Sequence, residues 1–173
     1  MSKCQLTVIA VVVCAVVISS VAMALQIGEK APDFKLNDQF GKTWELSELS
    51  GKVVVVVAAN KDSGRDMGPW FDNLKSAYGD KIRLLGLMDL HNIPAIGRGI
   101  AKSRIRKETK DPLMLDFKGS TGKAYQANSK TPVVVVIDKN SVMKAVQSTH
   151  YSDGAFKTIS SAIDSALANN KKT

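Results

Sequence analysis

The sequence predicts an α/β layered domain, a central mixed sheet flanked by helices with an N-terminal β-hairpin extension. Three observations carry that prediction. Val53 to Val57 is an unbroken run of five valines. Ile82 to Met88 and Val133 to Ile137 are two more apolar runs of strand length. Segments with helical spacing of apolar residues lie between and after these runs. Runs that are apolar at every position, rather than at alternate ones, belong to strands covered on both faces. The chain has 173 residues, 45% of them apolar and 23% charged. That composition excludes disordered, collagenous and disulfide-dense classes and suits one core. There is no internal repeat, and no linker divides the chain after its first 24 residues.

Taken in order, Phe34 and Leu36 alternate with Asp33 and Lys35, the pattern of a half-buried strand. Asp38 to Lys42 is turn-rich, with Gly41 suited to positive φ. Thr43 to Leu46 is the return strand, and Ser47 to Gly51 a short helical turn. The valine run follows as a central strand. Asn60 to Pro69 is a polar loop. Trp70, Leu74, Ala77 and Tyr78 recur at helical spacing until Gly79 and Asp80 close the helix. Ile82 to Met88 is the second buried strand, Ile96 to Arg106 a basic helix, and Leu113 to Asp116 a short extended piece before the turn Lys118-Gly119-Ser120. Thr131-Pro132 precedes the third buried strand. Asp138 to Ser141 is a hairpin turn, with Val142 to Val146 as the antiparallel partner. Ser152 or Asp153 caps a last helix, whose apolar stripe is Ala155, Phe156, Ile159, Ala162, Ile163, Ala166 and Leu167.

The first 24 residues have the composition of an export signal. Lys3 is followed by the apolar stretch Leu6 to Ile18, and Ala22-Met23-Ala24 fits a small-residue cleavage site. Cleavage after Ala24 yields a secreted or periplasmic domain of residues 25–173. The alternative is an uncleaved anchor over residues 6–25, about 20 residues and just enough to cross a bilayer at roughly 1.5 Å per residue. Both cysteines, Cys4 and Cys14, lie in this segment. The formal net charge is +8, and cleavage removes only Lys3 from the basic side. The domain from Leu25 onward therefore stays basic and holds no cysteine, although exported proteins often carry disulfides.

The motif Gly28-x-x-Ala31-Pro32-Asp33-Phe34-x-Leu36, then Gly41-Lys42, then Leu46-x-x-Leu49-x-Gly51-Lys52 before the valine strand, resembles the entry of the redoxins. These are the peroxiredoxin (AhpC/TSA) and TlpA-like branch of the thioredoxin-like superfamily. Leu115-Asp116, Lys123-x-Tyr125 and Thr131-Pro132-x-x-x-x-Ile137-Asp138 resemble its second half, so the likeness covers roughly residues 27–167. It implies a thioredoxin-like fold and, at the position of Pro132, a cis peptide bond facing the functional site. A further likeness, to the small exported proteins of the YtfJ family, rests on Ala59 to Arg65, Asp89-x-x-x-Ile93-Pro94 and Val135-Val136-Ile137-Asp138-Lys139.

In redoxins the loop after the first buried strand carries the catalytic cysteine or cysteine pair, activated at a helix N-terminus. Here that loop reads Asn60-Lys61-Asp62-Ser63-Gly64-Arg65-Asp66, and Ser63 to Asp66 overlies the thiol positions. A serine hydroxyl is a poor nucleophile without a base and forms no disulfide. Neither dithiol exchange nor cysteine peroxidase activity is carried over, and no cofactor is expected. The expectation is a non-catalytic accessory protein that binds a peptide or protein partner of the cell envelope. The groove it would use is formed by Asp62, Ser63, Arg65, Asp66, Trp70, Thr131 and Pro132.

The alternative is non-thiol chemistry, with Asp62 and Asp66 at i, i+4 joined by His150 as ligands for a hard divalent ion. An N-cap or first-turn role for either aspartate is the ordinary reading. His91, beside Asp89 at a strand end, is read chiefly as a loop histidine in a local hydrogen bond, with proton transfer as the functional option. Arg98, Lys102 and Arg106 stack on one helix side as a solvated or anion-attracting stripe. Interleaved aromatics are missing, which argues against nucleic acid. A hydrolase triad, P-loop, dinucleotide fingerprint and zinc spacing are all absent.

Overall fold

The computed structural model describes residues 25–168. The expected export signal, its expected cleavage point and most of the alternative anchor lie outside the described residues. Within them, no helix is long and apolar enough to cross a membrane.

Seven strands and four α-helices form among the described residues. They are β1 (Lys35–Asn37), β2 (Thr43–Glu45), β3 (Val54–Asn60), α1 (Met67–Tyr78), β4 (Arg83–Asp89), α2 (Arg98–Glu108), β5 (Leu113–Asp116), α3 (Ser120–Ala124), β6 (Val133–Ile137), β7 (Met143–Ser148) and α4 (Asp153–Ala168). The main sheet has the order β5-β4-β3-β6-β7. Strands β3, β4 and β5 run parallel, and β6 and β7 are antiparallel to their neighbours, so the sheet is mixed as expected. β1 and β2 form a separate antiparallel hairpin.

The valine run explains the layers. Val53, Val55, Val57 and Ala59 project into one core with Trp70, Phe71 and Leu74 of α1 and Ile159 and Ile163 of α4. Val54, Val56 and Ala58 project into a second core with Phe34, Trp44, Leu46, Leu49 and Tyr125. A strand with two apolar faces thus has helices on one side and the hairpin, a 3-10 turn at Leu46–Leu49 and the end of α3 on the other. Gly86 of β4 lies beneath α1; a Cβ there would meet Leu113 Cδ1 at 2.3 Å and Phe71 Cζ and Met67 Cε at 3.2 Å. Glycine at this position is what lets α1 sit close to the sheet.

The hairpin turn is more deeply built than its polar sequence implies. Asp38 is 3% exposed and Gln39 is fully buried. Asp38 Oδ1 accepts from the Phe40 and Lys42 amides, and its Oδ2 accepts from Trp44 Nε1 at 2.9 Å. Gln39 Nε2 donates to the Asp111 carbonyl, and its Oε1 accepts from the Leu113 amide at 2.9 Å. The turn thereby closes the free edge of β5, which Asp38 also bridges at Met114.

Candidate functional site

β3, β4 and β5 end in register on Asn60, Asp89 and Asp116. Three polar side chains therefore stand in a row where parallel strands terminate, the edge at which open α/β sheets place their sites. Their side-chain oxygens are spent on their own loops. Asn60 Oδ1 accepts from the Asp62 and Ser63 amides at 2.8 and 3.0 Å. Asp116 Oδ1 accepts from the Lys118 and Gly119 amides, and its Oδ2 from the Gly122 amide. Asp116 thereby organises the entry to α3, and Gly119 supplies the φ of +78° that the turn requires. Asp89 Oδ1 lies 2.8 Å from His91 Nδ1 and also accepts from the His91 amide. The local histidine hydrogen bond expected from the sequence is thus present, and its partner is the buried Asp89 carboxylate.

Ser63 opens the segment expected to overlie the redoxin thiol positions, and its environment is closed. It is 1% exposed. Its Oγ donates to Asn60 Oδ1 at 3.2 Å and accepts from the Asn60 amide at 3.3 Å. Among the described residues no histidine or carboxylate bonds the hydroxyl, so none of them activates it as a base. A Cβ on the adjoining Gly64 would lie 2.7 Å from Met88 Cε, which keeps this turn flat against β4.

Three loops converge around Ser63. Asn60 Nδ2 donates to the Ser129 carbonyl at 3.3 Å, joining the end of β3 to the segment before β6. Ser148 Oγ, at the end of β7, lies 2.8 Å from Ser129 Oγ and 3.1 Å from Thr131 Oγ1. The Thr149 amide donates to the Pro132 carbonyl, and next to it His150 Nδ1 lies 3.2 Å from Asp66 Oδ2. Asn60, Ser129 and Ser148 were not singled out in the sequence; the only signal for Asn60 is that it is the first polar residue after the apolar run.

Of the expected groove residues, Asp62 and Arg65 are exposed, Asp66 and Thr131 are half-buried, and Ser63, Trp70 and Pro132 are buried. Trp70 has no exposed surface, and its ring meets Tyr151 edge-on at 5.4 Å between centroids. It stiffens the loop carrying His150 from beneath rather than facing solvent. The cis bond implied at Pro132 is corrected: no peptide bond among the described residues is cis. The trans form is the lower-energy one for X-Pro, and here the Thr131 hydroxyl meets Ser148 and the Pro132 carbonyl accepts from the Thr149 amide on the β7 side.

Asp66 sits at the N-cap position of α1 but makes no side-chain cap bond. Its carboxylate turns to His150 instead. Asp62, Asp66 and His150 do not form a ligand set; among the described residues no group of three His, Cys, Asp or Glu is arranged to hold a metal ion. In the stripe, Arg98 and Arg106 are exposed, as a solvated face requires, and Lys102 is half-buried; two of them also reach back to the body. Arg106 donates through Nε and Nη2 to the Gln39 carbonyl, and Arg98 stacks over Phe117 at 5.2 Å from the ring centroid.

With this geometry in place, comparison with known proteins is decisive. Residues 27–146 match the AhpC/TSA family model. The chain belongs to the AhpC/TSA family. Its thioredoxin-like fold is shared with a protein of Chlorobium tepidum assigned as the thiol:disulfide interchange protein DsbE, at a TM-score of 0.65 and 22% identity, covering 83% of this chain and 99% of that one. The exposed lipoprotein thioredoxin Etrx1 of Streptococcus pneumoniae is similar at a TM-score of 0.60 and 22% identity, covering 75% and 99%. A protein of Haemophilus influenzae, itself described as uncharacterized, is 26% identical over 175 residues, 88% of this chain and 94% of that one. Against this family, the absence of any cysteine beyond Cys14 stands out.

Proposed function

We propose that this AhpC/TSA member is an exported accessory protein that binds a peptide or protein partner and performs no thiol chemistry. The observation that carries the reading is Ser63: in the loop where the resemblance expects a thiol stands a hydroxyl, shut from solvent at 1% exposure and satisfied by Asn60. Peroxide reduction in this family and disulfide exchange both need a cysteine thiolate, which attacks the substrate, becomes a sulfenic acid or mixed disulfide and is restored by a reductant thiol; residues 25–173 contain none. Removing the thiol leaves the surrounding surface intact. Asp62 and Arg65 are exposed beside the half-buried Asp66 and Thr131, on loops tied together through Ser129, Ser148 and His150. These fixed loops suit an extended chain laid across them, with Ser63, Trp70 and Pro132 as the floor that sets their positions. Export rests on the signal-like residues 1–24, with cleavage after Ala24. The likeness to the YtfJ family, drawn on the 59–65 loop and the Asp89-x-x-x-Ile93-Pro94 segment, accords with an exported protein of this type.

Photo-crosslinking in the native envelope tests the reading. A crosslinker at Arg65 is expected to give a discrete adduct that weakens with Asp62→Lys, while one at Lys157 on α4 gives none. Equal yields from both positions would reject the groove.

A further inference from the structure

We propose that the outer side of α2 docks on anionic phospholipid bilayers, with Ile96 and Ile100 entering the interface and the surrounding cations meeting headgroup phosphates. This surface is separate from the loops around Ser63, and the inference does not depend on the partner reading.

Among the described residues the large hydrophobic side chains that stand exposed are Ile27, Phe40, Ile96 and Ile100. Ile96 is 93% exposed and Ile100 75%. They lie one helical turn apart on the same side, Ile96 in the 3-10 turn that leads into α2. Lys107 follows two turns further along that side. Gly99 and Ser103 are small, so Ile100, Arg104 and Lys107 border a shallow depression between them. No residue of α2 is fully buried. The opposite side of the helix makes its attachments, through Ile105 against the core and Arg106 on the Gln39 carbonyl.

The charge around these isoleucines is one-sided. From Ile96 to Lys110 there are six basic residues and a single acid, Glu108; Arg104 and Lys107 line the depression beside Ile100, whereas Arg98 and Arg106 reach Phe117 and the Gln39 carbonyl. Glu108 is taken by Arg104 at 2.8 Å. No ion pair among the described residues involves Lys107 or Lys110. A soluble polyanion would take up the cations and leave two isoleucines in water. An apolar groove on another protein would take the isoleucines and leave the cations unmatched. The interface of an anionic bilayer accepts both, apolar side chains at the acyl boundary and lysines and arginines among the phosphates.

The test uses residues 25–173, which carry the complete fold because every core residue lies between Ala31 and Ala166. Sedimentation with phosphatidylglycerol–phosphatidylcholine vesicles is compared with phosphatidylcholine alone. Partitioning is expected to be at least about tenfold stronger on the anionic vesicles and to fall with salt, since each cation near such a surface contributes about fivefold. Ile96→Ala with Ile100→Ala keeps the helix and should lower partitioning by about tenfold while leaving the thermal transition unmoved. Lys107→Glu with Lys110→Glu should lower it at least as far, and Lys52→Glu with Lys81→Glu, away from α2, should change it by no more than about twofold. Four results would overturn the proposal: no association with anionic vesicles, equal association with both vesicle types, full association of the double alanine variant, or binding to heparin with none to vesicles.

Discussion

At Ser63 the hydroxyl is donor and acceptor to the same neighbour, Asn60, and solvent does not reach it. A sulfur placed there by Ser63→Cys would inherit that enclosure. Its thiol should react with a disulfide reagent at least about tenfold more slowly in the folded protein than in denaturant, because reaction then waits on local opening. Equal rates would show that the loop is open and the enclosure wrong. Asp38 is the second residue whose surroundings decide its role. Three donors converge on its carboxylate in a buried turn, and each loses its partner in Asp38→Ala. A cost of about 2–4 kcal/mol is expected from urea unfolding. Neither role was legible in sequence. Ser63 looked like a site residue and Asp38 like a loop residue, because the pattern of polar positions does not report which polar groups the fold buries.

Among the elements, β3 was the most legible. Five consecutive valines can be satisfied only by a strand with cores on both sides, and both cores are present. The strand runs on to Asn60, beyond the valines, because β4 pairs with it residue by residue as far as Asp89. Strands β1 and β2 and the helices α1 and α4 were legible from alternation and apolar spacing, and Ser152 caps α4 through the Ala155 amide as expected. α3 was read only as a turn, since five residues are too few to display a helical period. In α2 the cationic stripe was legible as a solvated face, and Arg98 and Arg106 are exposed; the exposure of Ile96 and Ile100 was not legible, because packing of Ile105 and the Gln39 carbonyl set that rotation. Close approach is equally invisible in sequence. Gly86→Ala should cost about 1–3 kcal/mol by forcing a methyl into Leu113. Gly99→Ala, open on the surface of α2, should be neutral or stabilising by up to about 1 kcal/mol. The same urea titration checks both, and a harmless Gly86→Ala would mean that α1 sits further from the sheet.

For the molecule as a whole, the two-layered core carries a pH signature. Burial pushes the Tyr125 phenol well above the ordinary tyrosine value of 10.0, with the Asp33 carboxylate adding to the effect. Its hydroxyl donates to the Pro32 carbonyl at 2.7 Å. Tyr78 is raised by burial in the same direction. A phenol whose folded value is raised holds its proton in the native state when the unfolded chain has lost it. Its stabilising contribution is complete below about pH 10 and drains away as pH climbs higher. Urea midpoints should hold steady from pH 8 to 9.5 and fall beyond 10, with a shallower fall in Tyr125→Phe. An unchanged slope in that variant would remove Tyr125 from the account.

The redoxin frame was readable from end to end in the sequence, because its motifs lie on strand ends and turns that the fold needs whatever its chemistry. Pro132 shows the limit of such reading: the residue matches, and the cis geometry that the resemblance implied is not adopted. The central proposal is that the scaffold persists without the thiol chemistry. Hydroperoxide consumption by purified residues 25–173, with dithiothreitol as reductant, tests it most directly. The rate should equal that of dithiothreitol alone at every protein concentration; a rate that rises in proportion to the protein and saturates with peroxide would contradict the account.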